Sequence, residues 1–403
     1  MITAFRWLLR IFTALVALAG AMLGLAYYFA AGSLPDYNAS FRVPDLSAPV
    51  EVVRDTADVP HIFGKSDADV YFALGFAHAQ DRLWQMVMLR RTVQGRLSEV
   101  FGLETVKTDE LMRTLDLYGL ATRSVAAQDA ATRTALEAYS KGVNAWIEVV
   151  NAQSRGRGAP EFFLFSSEIS YWQPADSLAI LKLMALRSTA QAEAEVLRAR
   201  LSVLSETWPR DLMPDAPGPG VAALPSYAAL VPGVPRSFAA LAPAPEDAFW
   251  PLPHLPFAGA SNAWAAAPRR SAAGGSLLAN DPHLDFSAPS LWYLARLELA
   301  SGGVIGATIP GIPAVLAGRN ARFGWGISAA WVDDQDLRIE EVNPADPGRY
   351  RTPEGWKAFA TRRSIIAVKD ASPITVTLRW TDNGPVLPED IYDVGSVTPP
   401  GHV

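Results

Sequence analysis

From residue 209 to residue 256 the chain is crowded with proline and alanine and has little periodicity, and this interval separates two unlike halves. Segments of that composition rarely sit inside a packed core. The interval therefore reads as a surface connector, and any fold must join the half before it to the half after it. Before it the pattern is helical. Phe72, Phe76, Ala79, Leu83 and Met86 recur at steps of three and four, which predicts a helix over 67–101 bounded by Gly64 and Gly102. Further helical patterns cover about 109–150 and 174–204, and 50–53 reads as a short strand. After Ala258 the texture changes. Residues 261–267, 275–279, 291–298, 303–308 and 374–380 read as strands set between Gly, Pro and Asn turns. The expected class is α+β, with a helical region over 48–208, the connector over 209–260 and a sheet-rich region over 261–403. No internal repeat is visible.

The amino end constrains location. Arg6 and Arg10 precede a run over 11–35 that carries no charge, long enough to cross a bilayer core as a helix. Positive residues on its amino side place the start in the cytoplasm and the body beyond the membrane. The same segment, 1–35, fits a cleavable signal peptide, with Ala30, Ala31 and Gly32 as cleavage candidates. Either way the body is expected in the periplasm or anchored on the outer face of the cytoplasmic membrane. With 403 residues, half of them hydrophobic, there is room for two ordinary domains or one large one. A net charge of −6 leaves no electrostatic footprint for nucleic acid. The absence of cysteine excludes disulfides, thiolate catalysis and cysteine zinc sites.

The common hydrolase signatures are missing. There is no G-x-S-x-G elbow, no H-E-x-x-H helix and no glycine-rich phosphate loop. His61, His78, His254, His283 and His402 are the five histidines, and none lies close in sequence to another. What stands out is Gly259-Ala260-Ser261-Asn262-Ala263-Trp264, where the connector meets the first strand. A serine hydroxyl is a weak nucleophile that needs a base. If the bond before Ser261 is cut, the freed α-amino group can be that base, since its reference pKa is about 7.7–8.0. Nucleophile and base then belong to one residue, and the small residues before it let the backbone bend for attack on the preceding carbonyl. Read alone, a serine opening a strand is also compatible with no chemistry at all. A second cluster is Asp333-Asp334-Gln335-Asp336. Carboxylates this dense are either solvated or bridged by a hard cation such as calcium, which takes six to eight oxygens.

Longer motifs resemble one family. Val52-Val53-Arg54-Asp55, Val59-Pro60-His61-Ile62, and Gly75-Phe76-Ala77-His78-Ala79-Gln80-Asp81-Arg82-Leu83-Trp84-Gln85-Met86 resemble the penicillin acylases. Arg90-Arg91, Gly95-Arg96-Leu97-Ser98-Glu99 and Phe101-Gly102 continue the match, as do Ser261-Asn262-Ala263-Trp264, Asn280-Asp281-Pro282-His283, Pro310-Gly311 and Gly324-Trp325-Gly326. The resemblance runs in family order from about 50 to 387, interrupted by the connector. It implies an N-terminal nucleophile hydrolase with an αββα core. It also implies a precursor that cuts itself into an α-chain, a lost spacer and a β-chain, giving an α/β heterodimer from one chain.

Position by position, the resemblance makes Ser261 the nucleophile, with Asn262 and Trp264 as its usual neighbours. His283, 22 residues on, matches a histidine that assists precursor cleavage; as a residue it also fits a plain Asx-Pro turn. Ala329, or Ala330 by a one-residue shift, matches a backbone donor of the oxyanion hole; removing such a donor typically costs about 3–4 kcal/mol. Asp333 and Asp336 match side-chain ligands of a structural Ca2+, Gln335 a backbone ligand, and Glu195, with Glu193 as neighbour, the ligand from the α-chain. Leu186, Arg187, Ser188, Leu284 and Ile327 match the edge of the acyl pocket. Ser188 and Leu284 stand where aromatic-selective relatives carry Phe, which implies a roomier pocket for linear acyl chains. The implied substrate is a linear amide joining a hydrophobic acyl group to an amine such as a β-lactam nucleus or a homoserine lactone. Family members continue well beyond the equivalent of Val403, with the asparagine that completes the oxyanion hole. The sandwich is therefore expected to be incomplete, and a catalytically incompetent fragment or binding remnant is the alternative expectation.

Overall fold

The computed structural model describes residues 2–152, 158–165, 169–188, 191–204, 261–282, 287–328 and 335–403. The 209–260 connector lies outside the described residues. Helices dominate before it and strands after it, as the α+β reading requires. The chain divides into two compact units. The first comprises Met1–Met88, Gln128–Ser177 and Ser287–Phe323; the second comprises Leu89–Ala127, Leu178–Phe286 and Gly324–Val403. Each unit draws residues from both sides of the connector.

In the first unit the helix Ile2–Gly32 buries no residue and is long and apolar enough to cross a membrane. The helix Asp67–Gln94 starts at a local cap. The Asp69 N–H donates to Ser66 Oγ (3.1 Å) and the Ser66 hydroxyl donates to the Asp69 carboxylate (2.7 Å). This helix and Ala130–Ala152 approach backbone to backbone. A Cβ on Gly75 would strike the Tyr139 carbonyl oxygen, and one on Gly142 would strike that of Phe72. Glycine is needed at both positions for this spacing.

Against these helices stands a sheet with strands in the order Glu51–Arg54, Pro60–Phe63, Tyr293–Glu298, Val304–Ile309, Ile312–Asn320. Neighbours are antiparallel except Pro60–Phe63 with Tyr293–Glu298, which pair in parallel through His61↔Arg296, Ile62↔Leu297 and Phe63↔Glu298. A strand from before the connector thus lies beside one from after it. Pro60–Phe63 was not expected as a strand, because four residues opening on proline show no measurable period. Ile312–Asn320 escaped notice because its small residues, Ala314, Ala317 and Gly318, blur the alternation.

A fully buried polar chain joins the helices to this sheet. The Thr308 hydroxyl donates to the Tyr293 carbonyl (2.7 Å), so its oxygen accepts from His78 Nε2 (2.9 Å). The Gly311 N–H donates to the Tyr139 oxygen (2.8 Å), and the Tyr139 hydroxyl donates to His78 Nδ1 (2.8 Å). These partners fix a neutral His78 with its proton on Nε2. Nearby, Asp81 accepts from the Tyr293 hydroxyl (2.6 Å) and pairs with Arg54 (2.9 Å).

In the second unit Val93, Leu111, Met112, Ala121, Ala179, Leu183, Leu186 and Ile391 form a buried cluster. The expected long helices are broken by local chemistry. Gly95, at φ +64°, ends Asp67–Gln94 before the Gly102 stop read from the sequence. Asp116, at φ +51°, ends Val106–Leu115. In the first unit Asp129 caps Ala130–Ala152 by accepting from the Thr132 N–H (2.9 Å). The third expected helix is described as Pro174–Arg187 and Gln191–Leu204. The buried Asp109 carboxylate accepts from the N–H groups of Leu97 and Ser98, each at 2.8 Å, and so pins the turn after Gly95. Three two-stranded ladders complete this unit: Ser261–Ala266 with Leu277–Pro282, Arg349–Thr352 with Gly355–Ala358, and Ala360–Ile366 with Ile374–Trp380. Arg113 reaches the last of these, donating to Ser364 Oγ (3.0 Å) and to the Ile365 carbonyl (2.6 Å).

This packing has two measurable consequences. Gly142→Ala forces the helices apart and should cost about 3 kcal/mol, read as a lower denaturation midpoint at unchanged m value. Burial pushes the His78 imidazole down from 6.5 to about 3. The unfolded chain therefore takes up one more proton than the folded chain between those values. The stability His78 contributes is fully present above about pH 6.5 and is lost as pH falls toward about 3, at about 1.4 kcal/mol per pH unit. His78→Gln should flatten the stability profile by that slope, and denaturant unfolding across the window measures it.

Candidate functional site

Ser261 occupies the first position of the strand Ser261–Ala266. It pairs with Pro282, which has no N–H to give, and the ladder ends there. The residue is half-buried, and the Trp264 side chain three positions on is largely exposed. A further segment flanks this hairpin. The Ser328 hydroxyl donates to the Ser261 carbonyl oxygen (2.8 Å). The Asn280 side chain donates to the carbonyls of Asn262 (3.0 Å) and Ile327 (2.8 Å) and accepts from the Ile327 N–H (3.0 Å). The Asn280 side chain and the Ser328 hydroxyl thus tie the hairpin to residues 327–328, while the Asn262 carbonyl accepts from Asn280 within the hairpin.

The backbone directly after the acidic segment meets a helix from before the connector. Glu195, on the helix Gln191–Leu204, accepts from the Leu337 N–H (2.5 Å), directly after Gln335 and Asp336. Gln335 is half-buried and Asp336 is exposed. The adjacent Glu193 behaves differently. Burial pushes its carboxyl up to about 7, and its Oε2 has no hydrogen-bond partner among the described residues. Glu195 is thus the glutamate that accepts from the backbone directly after the acidic segment. Among the described residues no group of three or more acidic or histidine side chains is gathered to hold a metal.

The pocket-edge residues are less coherent. Leu186 is buried in the hydrophobic cluster of the second unit. Arg187 is exposed, and the Ser188 hydroxyl turns back to the carbonyls of Met184 (3.1 Å) and Ala185 (2.9 Å). Ile327 is 42 % exposed. His283, Leu284, Ala329, Ala330, Asp333 and Asp334 lie outside the described residues. A hollow lined by Glu51, Val53, Asp55, His61 and Phe63 belongs to the first unit and presents only the exposed His61–Asp55 pair (3.2 Å). The described histidines are committed elsewhere: His78 to the buried chain, His61 to Asp55 and His402 to the Pro400 carbonyl. Sequence reasoning gave no role to Asn280 or Ser328. The Asn280-Asp281-Pro282-His283 motif marked the first, while nothing marked the second.

Comparison with known proteins gives the family. A family model described as penicillin amidase matches residues 49–400, and the chain belongs to that family. It is 33 % identical over 382 residues to penicillin acylase 2 proenzyme of Pseudomonas sp. (strain SE83), spanning 91 % of this chain and 47 % of that protein. It is 30 % identical over 398 residues to acyl-homoserine lactone acylase QuiP of Pseudomonas aeruginosa, spanning 93 % of this chain and 44 % of that protein. Among solved structures, thermostable penicillin G acylase from Alcaligenes faecalis in its tetragonal form is 29 % identical, with a TM-score of 0.35. That likeness covers 44 % of this chain and 98 % of the other. The chain spans about half the length of the curated relatives it matches.

Proposed function

We propose that the protein is an amide hydrolase whose nucleophile is Ser261, released as a chain head by self-cleavage after Ala260. One observation carries this reading. The residue that a family member needs at a new terminus stands first in its strand, at the end of the connector, with its carbonyl held by Ser328. In the proposed reaction the Ser261 hydroxyl attacks the carbonyl carbon of an acyl amide. The α-amine takes the hydroxyl proton and delivers it to the departing amine, leaving an acyl ester on Ser261. Water, deprotonated by the same amine, then releases the acid and restores the hydroxyl. The backbone N–H of Ala329 is assigned to the oxyanion, and His283 to assistance in cleavage. The substrate class is a linear amide of a hydrophobic acyl group; relatives named for penicillin and for acyl-homoserine lactones motivate it. Leu284, Ile327, Ser188 and Arg187 are assigned to the rim of the acyl site.

Contacts that cross the connector support a heterodimer after cleavage. In the first unit they are the Pro60–Phe63 and Tyr293–Glu298 pairing and the His78–Thr308 bond. In the second they are Arg113 to Ser364, Arg200 to Asp393 (2.6 Å) and Glu195 to Leu337. Calcium would bind at the last of these, between Glu195 and the Asp333, Gln335 and Asp336 segment, the observed Glu195–Leu337 contact being the fit that favours it. Bound there, it would join the two chains electrostatically, without entering the reaction. The helix Ile2–Gly32 supports export as a signal or as an anchor.

Ser261→Ala should leave a single uncut chain with no amide hydrolysis, read by gel and by release of free amine from a panel of acyl amides. Turnover in that variant overturns the proposal. Calcium should raise the melting temperature of the parent and not that of Glu195→Ala; equal shifts would remove the metal from the reading.

A further inference from the structure

We infer that Asn280 is a positioning residue that sets the spacing between the Ser261 strand and the segment leading to Ala329. The inference rests on the reading of Ser261 as the nucleophile. A primary amide offers two N–H donors and one carbonyl acceptor. Here each goes to backbone: the donors to the carbonyls of Asn262 and Ile327, the oxygen to the Ile327 N–H. The side chain thus acts as an inserted peptide group between two stretches of chain that no strand pairing joins. One stretch is covalently next to Ser261, and the other ends two residues before Ala329. The orientation of the amide is set by its partners, because the flipped form would place its oxygen against two carbonyls.

Two features make the device specific. Gly326 leaves the space the amide fills, since a Cβ there would lie 2.8 Å from Asn280 Cγ and 3.0 Å from its Oδ1. Ser328 adds a link from the same segment to the Ser261 carbonyl. Asn280 itself lies opposite Ala263 in the hairpin, and its amide reaches both the Asn262 carbonyl on the facing strand and the flanking residue Ile327. Attack and oxyanion stabilisation both depend on the distance this amide holds, and a misplacement of about 1 Å costs about 100-fold in rate.

The experiment compares kcat, KM and self-cleavage rate in the protein as expressed from its gene, normalised to released Ser261 termini. Asn280→Asp keeps the size of the side chain and replaces both donors with a carboxylate oxygen facing two carbonyls. It should lower kcat about 100-fold while KM changes less than about threefold. Gly326→Ala keeps every donor and acceptor but pushes the amide aside, and should give the same loss. Asn280→Ala combined with Gly326→Ala should be no worse than the poorer of Asn280→Ala and Gly326→Ala measured singly, which is the coupling expected of one shared contact. A folded precursor that cuts itself slowly counts for the proposal, since the same geometry serves self-cleavage. If Asn280→Asp does not fold, Gly326→Ala alone decides. Either variant retaining kcat within about twofold of the parent, or additive losses in the double variant, would overturn the inference. Ser261→Ala separates the two readings. An inactive Ser261→Ala beside normal Asn280 and Gly326 variants removes Asn280 alone, whereas an active Ser261→Ala removes both.

Discussion

The parallel pairing of Pro60–Phe63 with Tyr293–Glu298 is the constraint on which the first unit depends. It places backbone from before the connector in one sheet with backbone from after it. The buried His78, Tyr139, Thr308 and Gly311 chain reinforces the same join, with every member satisfied. Buried polar groups of this kind are costly to leave unpaired, so they hold one arrangement against near alternatives. The second unit uses charged joins instead, with Arg113, Arg200 and Glu195 each reaching across from the helical side. These contacts join residues from before the connector to residues from after it independently of the connector itself.

That property gives the proposed chemistry its logic. A serine that is to carry its own base must become a chain end, and cutting a backbone is tolerable only where other contacts carry the load. Ser261 stands where the connector becomes strand, and its hairpin is tied laterally by Asn280 and Ser328. Fixation of the strand that carries it is what an N-terminal nucleophile requires, because the reacting groups must be held before substrate arrives.

Much of this was legible in the sequence, for reasons that differ by element. The helix from Asp67 could be read because its apolar residues repeat at helical steps, and Ile374–Trp380 because its alternation is clean. The helix ends were missed at Gly95 and Asp116, where single residues in left-handed conformation override the periodicity on either side. Pro60–Phe63 was invisible as a strand because what makes it one is a partner more than two hundred residues away. Ser261 was legible as the start of a strand, because the texture changes where the connector ends. Leu186, read at a pocket edge, is buried in the second unit's apolar cluster; an apolar helical residue looks the same in sequence facing a pocket or a core. Asn280 appeared in a motif without a role, because a side chain that serves as an inserted peptide group shows its purpose only when both backbone segments are in view.

The most direct test of a self-made chain head at Ser261 is native size exclusion of the mature protein, with intact mass and N-terminal sequencing of the species that co-elute. Two chains should travel together and part only in denaturant, one of them beginning Ser-Asn-Ala-Trp. One uncut chain, a new terminus at another residue, or two pieces that separate without denaturant would contradict it.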